Sequence, residues 1–433
     1  MSRRGRSQRG AVLARVLGGV LALVVLAGAL VAWLNVRGEA PVSHDAPPPA
    51  SAEQVARGAY LAKAGNCMGC HTARGGAPYA GGLGVPTPFG TVYAPNLTPD
   101  PETGLAGWSD DEFWRALHHG RSRDGRLLYP AFPYPNYTRI ARADADAIHA
   151  YLRSLPPVRQ PNRPHALSFP FDQQASLAVW RALYFRPAAH EADPARSAAW
   201  NRGAYLVDGL GHCNACHAAR NALGATSDAL DLAGGLIPVQ NWYAPSLTSP
   251  REAGVADWPL EDVVQLLKTG VSPRGAVMGP MREVVAGSTQ HLNDADLAAM
   301  AEYLRALPQT AAPRPAPART DTALASAGAT LYGRHCAACH GERGEGVRGA
   351  YPALAGSRAV TMESSANLVH IVFEGGFPPS TAGNPRPFGM PPFATALSNA
   401  EVAAVLSFVR SSWGNDGAPV SALDVERYRS RRY

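Results

Sequence analysis

Residues 67–71 read CMGCH, residues 213–217 read CNACH and residues 336–340 read CAACH. These three stretches use all six cysteines of the 433-residue chain. A structural zinc site normally joins two such pairs, and three pairs would strand one of them. A redox dithiol does not require a histidine directly after its second cysteine. Covalent haem attachment uses every residue of the pattern: two thiols add to the porphyrin vinyl groups, and the histidine that follows reaches the iron. Cys67, Cys70, Cys213, Cys216, Cys336 and Cys339 are therefore read as haem-binding residues. His71, His217 and His340 are read as the proximal ligands of three c-type haems.

The motifs lie inside a longer repeat. RGAYLAKAGNCMGCH from Arg57 matches RGAYLVDGLGHCNACH from Arg202, and YAPNLT at Tyr93 matches YAPSLT at Tyr243. AYLRSLP (150–156) matches EYLRALP (302–308). The third copy opens with ASAGATLYGRHCAACH and closes with LSNAEVAAVLSFVRSSW. The closing segments have helical apolar spacing. Asp294 heads Leu297, Met300, Tyr303 and Leu304, and Ser398 with Glu401 has the spacing of a capping box. Each unit is thus expected to be a helix, the motif, a long loop and a final helix. Between the first two units, ASLAVWRALYF (175–185) reads as a helix in a connector that packs as a clamp. The proline-rich run 308–320 reads as an extended linker before the third.

A haem used for electron transfer usually has a second axial ligand, and methionine opposite histidine raises its potential. Of the seven methionines, Met1 is the start and Met68 lies within a motif. Met300 fits a core position, and Met362 fits surface or packing. Met390, fifty residues after His340, is the candidate in the third unit. In the second, Met281 in VMGPMREVV is preferred to Met278. In the first, the corresponding loop reads LYPAFPY (128–134) and puts Phe132, which cannot bind iron, where the methionine should be. His118 or His119 of LHHG could supply an imidazole, with His119 slightly ahead. An open iron and a different ligand are the other readings. His212 and His335, just ahead of their motifs, read as surface or structural residues.

Formal net charge is +6, but it sits at the ends. Five arginines precede residue 16, and the last ten residues carry four more against two acids, so the remainder is close to neutral. That is not the distributed basic surface of a nucleic-acid binder. Val16–Leu34 is uncharged and, as a helix, would span roughly 28 Å, near the thickness of a bilayer core. Ala27-Gly28-Ala29 would suit signal cleavage. The run outlasts a signal's apolar region and carries Trp33, which favours an uncleaved anchor. The arginines would stay cytoplasmic, with the rest exported. No glycine fingerprint for a nucleotide is present: GGAPYAGGLG (75–84) follows a haem motif rather than a strand.

The three motifs, the paired YAPNLT and YAPSLT, and GPMREVV with STQHL resemble the cytochrome subunit of membrane-bound bacterial dehydrogenases, from about Glu53 to Trp413. The resemblance implies a mainly α fold of three tandem class I cytochrome c domains behind an N-terminal transmembrane helix. The expected boundaries are 1–35 (basic segment and anchor), 51–157, 158–196 (connector), 197–309, 310–321 (linker), 322–415 and 416–433 (basic tail). It implies haem ligation by His71, His217, His340, Met281 and Met390. It also implies electron flow from a quinoprotein, flavoprotein or molybdenum-type dehydrogenase subunit to ubiquinone. The site would be the periplasmic face of the inner membrane, and the chain would have no substrate-converting site of its own. Many family members carry methionine where this chain has Phe132. The other readings are an independent relay to a terminal oxidase or reductase, and a haem enzyme with an open iron in the first domain. The tail would touch anionic lipid or fray.

Overall fold

The computed structural model describes residues 3–226, 231–310 and 321–429, with side chains from residue 11 onward. Most of the linker and the last four residues lie outside this range. The chain is mainly helical. Its first helix, Arg3–Val36, contains Ala11–Val36, a segment long and apolar enough to cross a membrane. Three helix pairs follow, each a first helix crossing a last one: Ala52–Ala64 with Arg142–Arg153, Ala198–Ala204 with Asp294–Arg305, and Thr322–His335 with Asn399–Ser411. One glycine sits at each crossing. A Cβ on Gly58, Gly203 or Gly328 would overlap the backbone carbonyl of Ala147, Ala299 or Ala404 respectively. Strands are few. Gly84–Thr87, Gly90–Tyr93 and Ala166–Leu167 form a small antiparallel sheet, which ties the connector to the first unit.

Caps define the helix starts. Ser398 and Glu401 close the expected capping box, and Ser109 with Glu112 forms another ahead of the Asp110–His119 helix. The Asp294–Arg305 helix is capped by Asn293 rather than by Asp294, because the Asn293 side chain accepts from the Asp296 N–H. The second copy of the repeat is one residue longer than the first between its arginine and its first cysteine. The structure absorbs that residue as a single π-helical segment, Tyr205–Leu210, which keeps Arg202 and the motif in their equivalent places.

Units one and two exchange tyrosines. Arg57 binds Asp144 within the first, and Arg202 binds Asp296 within the second. Tyr60 of the first donates to Asp296 at 2.6 Å, and Tyr205 of the second donates to Asp144 at 2.6 Å. The equivalent residues of a repeat thus meet reciprocally, as across a twofold interface. Hydrogen bonds to a charged acceptor contribute roughly 1.5–3 kcal/mol each. Asn136 bonds the Asp208 carbonyl and Asn214 Oδ1, and Ser288 donates to the Ala64 carbonyl.

Asp208, in the π segment, accepts from Tyr303 at 2.7 Å. Burial pushes its carboxyl up to about 6 from 3.8, against the opposing Tyr303 bond. The folded chain therefore holds a proton there that the unfolded chain has released. Stability falls as pH rises from about 4 to 6, and does not recover above. Asp208→Asn should match the parent at pH 4. At pH 7 it should exceed the parent by at most ~3 kcal/mol in urea unfolding.

The third unit is fastened to the second by Arg358–Asp257, Arg251–Asp416 and a two-way pairing of Asn367 with the Tyr243 backbone. The tail departs from expectation. Residues 416–429 fold back, and Ala422–Tyr428 is a helix with a Ser421–Asp424 capping box and Val425 fully buried. Arg410 explains the return. It is buried, and its guanidinium donates to the carbonyls of Ala418, Val360 and Met362. Residues 416–429 therefore pack on the third unit rather than trailing from it.

Candidate haem-attachment sites

Each motif is a single short turn at the end of its unit's first helix: Cys67–Cys70, Asn214–His217 and Ala337–His340. Each histidine makes the same bond. The Nδ1–H of His71 donates to the Pro95 carbonyl at 2.8 Å, that of His217 to Pro245 at 2.7 Å, and that of His340 to Pro352 at 2.9 Å. A donor at Nδ1 fixes the tautomer and the ring orientation, and it leaves Nε2 as the ligating nitrogen. Burial pulls His71 and His217 below the usual histidine range, more than the proline carbonyls raise them, so both rings stay neutral. A neutral imidazole is the form that binds a metal.

The sequence reading missed these prolines. Their signal was present, since Pro95 and Pro245 are the prolines of the paired YAPNLT and YAPSLT segments. Pro352 comes from YPAL, only twelve residues after its histidine, so the third copy reaches the same bond from a different loop.

The thiols suit haem better than the other chemistries. Burial pushes Cys67 and Cys213 up to about 12 and Cys336 up to about 11, so they remain protonated and make a poor redox dithiol. Among the described residues, no group of three or more His, Cys, Asp or Glu side chains could hold a metal ion. A cysteine pair followed by an oriented histidine fits a porphyrin that brings its own four nitrogens. Cys70 is raised by burial and then by Cys216 and Glu283, and Asn136 of the first unit donates to Asn214 within the second motif at 2.7 Å.

On the distal side, the structure separates the two methionines of the second unit. Met281 packs against the apolar cluster that also takes in Cys213 and Cys67. Met278 points away, with its Cε next to Gly376 of the third unit. Met390 is held by a pair of backbone bonds to Gly376, at 2.8 and 2.9 Å. It packs on the cluster around Val369 and Phe373, whereas Cys336 packs on the one around Tyr332 and Val405. The two clusters meet at Leu331 and Leu368. Met300 is in the core and Met362 is buried.

In the first unit, Phe132 is the residue of LYPAFPY that joins the cluster around Cys67. It lies edge-on to Tyr137 at 5.4 Å. His118 stacks on Trp114 at 4.5 Å and meets Thr138. His119 is buried. Burial, helped by His118, Arg181, Arg121 and Arg115, pushes it down to about 4. Of these, Arg181 is on the connector helix and Arg121 on the loop that follows, while His118 and Arg115 are on His119's own helix. His212 sits edge-on to Tyr137 and His335 edge-on to Phe393, both structural contacts.

Residues 55–156 and 325–413 match the family model Cytochrome c, which takes in the first and third motifs. The chain is 39% identical over 401 residues to the cytochrome c subunit of alcohol dehydrogenase (quinone) from Gluconacetobacter polyoxogenes, covering 88% of this chain and 85% of that one. It is 38% identical to the gluconate 2-dehydrogenase cytochrome c subunit of Pantoea cypripedii, covering 87% and 89%. It is 35% identical to the fructose dehydrogenase cytochrome subunit of Gluconobacter japonicus, covering 93% and 87%. The chain belongs to this family of cytochrome c subunits, the electron-transfer members of dehydrogenase complexes rather than the catalytic ones.

Proposed function

We propose that this subunit holds three c-type haems in three cytochrome c domains, about 51–157, 197–309 and 322–428. In this reading it passes electrons from a partner dehydrogenase subunit to ubiquinone at the periplasmic face of the inner membrane. The carrying observation is the threefold recurrence of one arrangement, a cysteine pair, a histidine and a proline carbonyl on its Nδ1. Bound haem supplies a one-electron ferric–ferrous couple. The protein's part is to hold it by Cys67/Cys70, Cys213/Cys216 and Cys336/Cys339, and to fix His71, His217 and His340 as ligands. Met281 and Met390 complete the second and third. The first has no thioether in its distal loop, so Phe132 leaves that position to a histidine such as His119, to a different ligand or to an open site.

The reciprocal tyrosine bonds, with Asn136 donating to Asn214 of the second motif and Ser288 to the Ala64 carbonyl, support transfer between the first two haems, because they lock the two units together. The exposed Ala11–Val36 helix supports anchoring, and the arginines ahead of it support export of the rest. The test is a haem count by alkaline pyridine haemochrome against protein concentration, with intact mass as a check. Three haems per chain are expected. Two would overturn the three-haem reading, and the masses of the motif peptides would show which motif is bare.

A further inference from the structure

We propose that the connector helix Gln174–Tyr184 rests on the surface of an anionic lipid bilayer, beside the point where the N-terminal helix leaves it. This rests on the membrane-anchor reading above. The apolar segment Ala11–Val36 has 26 residues, or about 39 Å, against a hydrocarbon core of ~30 Å. Its last turn therefore reaches the headgroup layer. Trp33 there is 58% exposed and lies under the Arg37 guanidinium at 5.6 Å, an arrangement suited to that layer.

That turn is bonded directly to the connector helix, with no slack between them. Asn35 Nδ2 donates to the Ala178 carbonyl at 2.9 Å, and Arg181 Nε donates to Asn35 Oδ1 at 2.9 Å. Arg121 donates to the Asn35 carbonyl and to Glu39. Gln174 closes the frame by bonding both backbone groups of Leu127. The helix, the 121–127 loop and the end of the anchor thus form one body. A membrane that holds Val31–Val36 at its surface holds Ala178 there too.

The faces of the helix differ. Leu177, Arg181 and Ala182 are buried against the protein. Val179 and Leu183, one turn apart, are 47% and 59% exposed, and Tyr184 beside them is 39% exposed. An apolar stripe ending in an amphipathic ring is how an interfacial helix meets lipid. The exposed Arg186 follows, as a cation for headgroup phosphates. The opposite face carries Arg181 over the Tyr134 ring at 5.2 Å and Phe185 edge-on to it at 4.8 Å. Tyr134 is the last residue of LYPAFPY. The seat therefore joins the lipid surface to the distal loop of the first haem site, the side from which a membrane quinone would arrive.

The test uses the full-length haem-loaded chain in phosphatidylethanolamine/phosphatidylglycerol vesicles. Because the native cysteines are consumed as thioethers, Leu183→Cys, Val20→Cys and Leu423→Cys each add one free thiol. Reaction with a water-soluble maleimide is timed. Leu423, 70% exposed in the third unit, marks the water-phase rate. Leu183→Cys should react at least ~10-fold more slowly than Leu423→Cys, and Val20→Cys should be nearly inert. A fast Leu183→Cys beside an inert Val20→Cys overturns the seat and keeps the anchor. A fast Val20→Cys overturns the anchor reading itself.

Discussion

Met390→Leu should remove half of the ferric protein's far-red sulfur-to-iron charge-transfer band and lower the potential of one haem. Met281→Leu should remove the other half. The reasoning is local. Met390 is clamped by two backbone bonds to Gly376 and cannot be replaced from its own loop, because the flanking Pro391 and Pro392 carry no ligand. Met281 shares the apolar cluster of Cys213, while Met278 lies against the third unit. Met278→Leu should therefore leave both band and potential unchanged, which makes it the control for packing. Loss of the thioether lowers the potential because sulfur favours the ferrous state. Phe132→Met should work in the opposite direction and raise the band from two shares to three, since the prolines that frame the position are already present. A parent spectrum that already shows three shares would sink the assignment of the first site, and a band that survives Met390→Leu would sink that of the third.

How much of this was legible in the sequence depends on the range of the interaction. The motifs and the repeat could be read because each is a local spacing. Bonds that span the fold could not. The proline carbonyls lie 24, 28 and 12 residues from their histidines, so no single offset marks them. Tyr60 and Tyr205 looked like parts of a repeated helix, and nothing local says that each serves the other unit's aspartate. The return of the tail depends on Arg410, which in sequence reads as an ordinary cation near a helix end and in space satisfies three carbonyls. The connector helix was legible as a helix. Its partner at Asn35 was not, because that contact crosses 143 residues. The sixth ligand of the haem proposed for the first motif follows the same logic. Phe132 is visible in the loop, but a replacement from elsewhere has no fixed distance along the chain.

The same substitution on one helix should have opposite signs five residues apart. Gly328 and Gly333 both lie on Thr322–His335. Glycine in a helix costs about 1 kcal/mol relative to alanine, so alanine at either position begins with that gain. At Gly333 a Cβ meets nothing within 4 Å, and the gain stands. At Gly328 it would overlap the Ala404 carbonyl, with the Phe408 Cβ at 2.7 Å behind it. The obstacle is backbone of the partner helix, which cannot rotate aside as a side chain would. Forcing atoms into a packed crossing costs ~1–3 kcal/mol or more, and here it must part the two helices that bracket the third motif. Gly333→Ala should therefore raise the denaturant midpoint of the haem-loaded chain, and Gly328→Ala should lower it by a larger amount. The crossing recurs at Gly58 over Ala147 and at Gly203 over Ala299, so alanine there should repeat the loss in the first and second units. The readout that separates this from general instability is the haem band of the affected unit. With Gly328→Ala the Met390 share should fail first on titration with denaturant, because that loop hangs from the helix crossing, while the Met281 share persists. Loss of both shares together would mean that the units unfold as one.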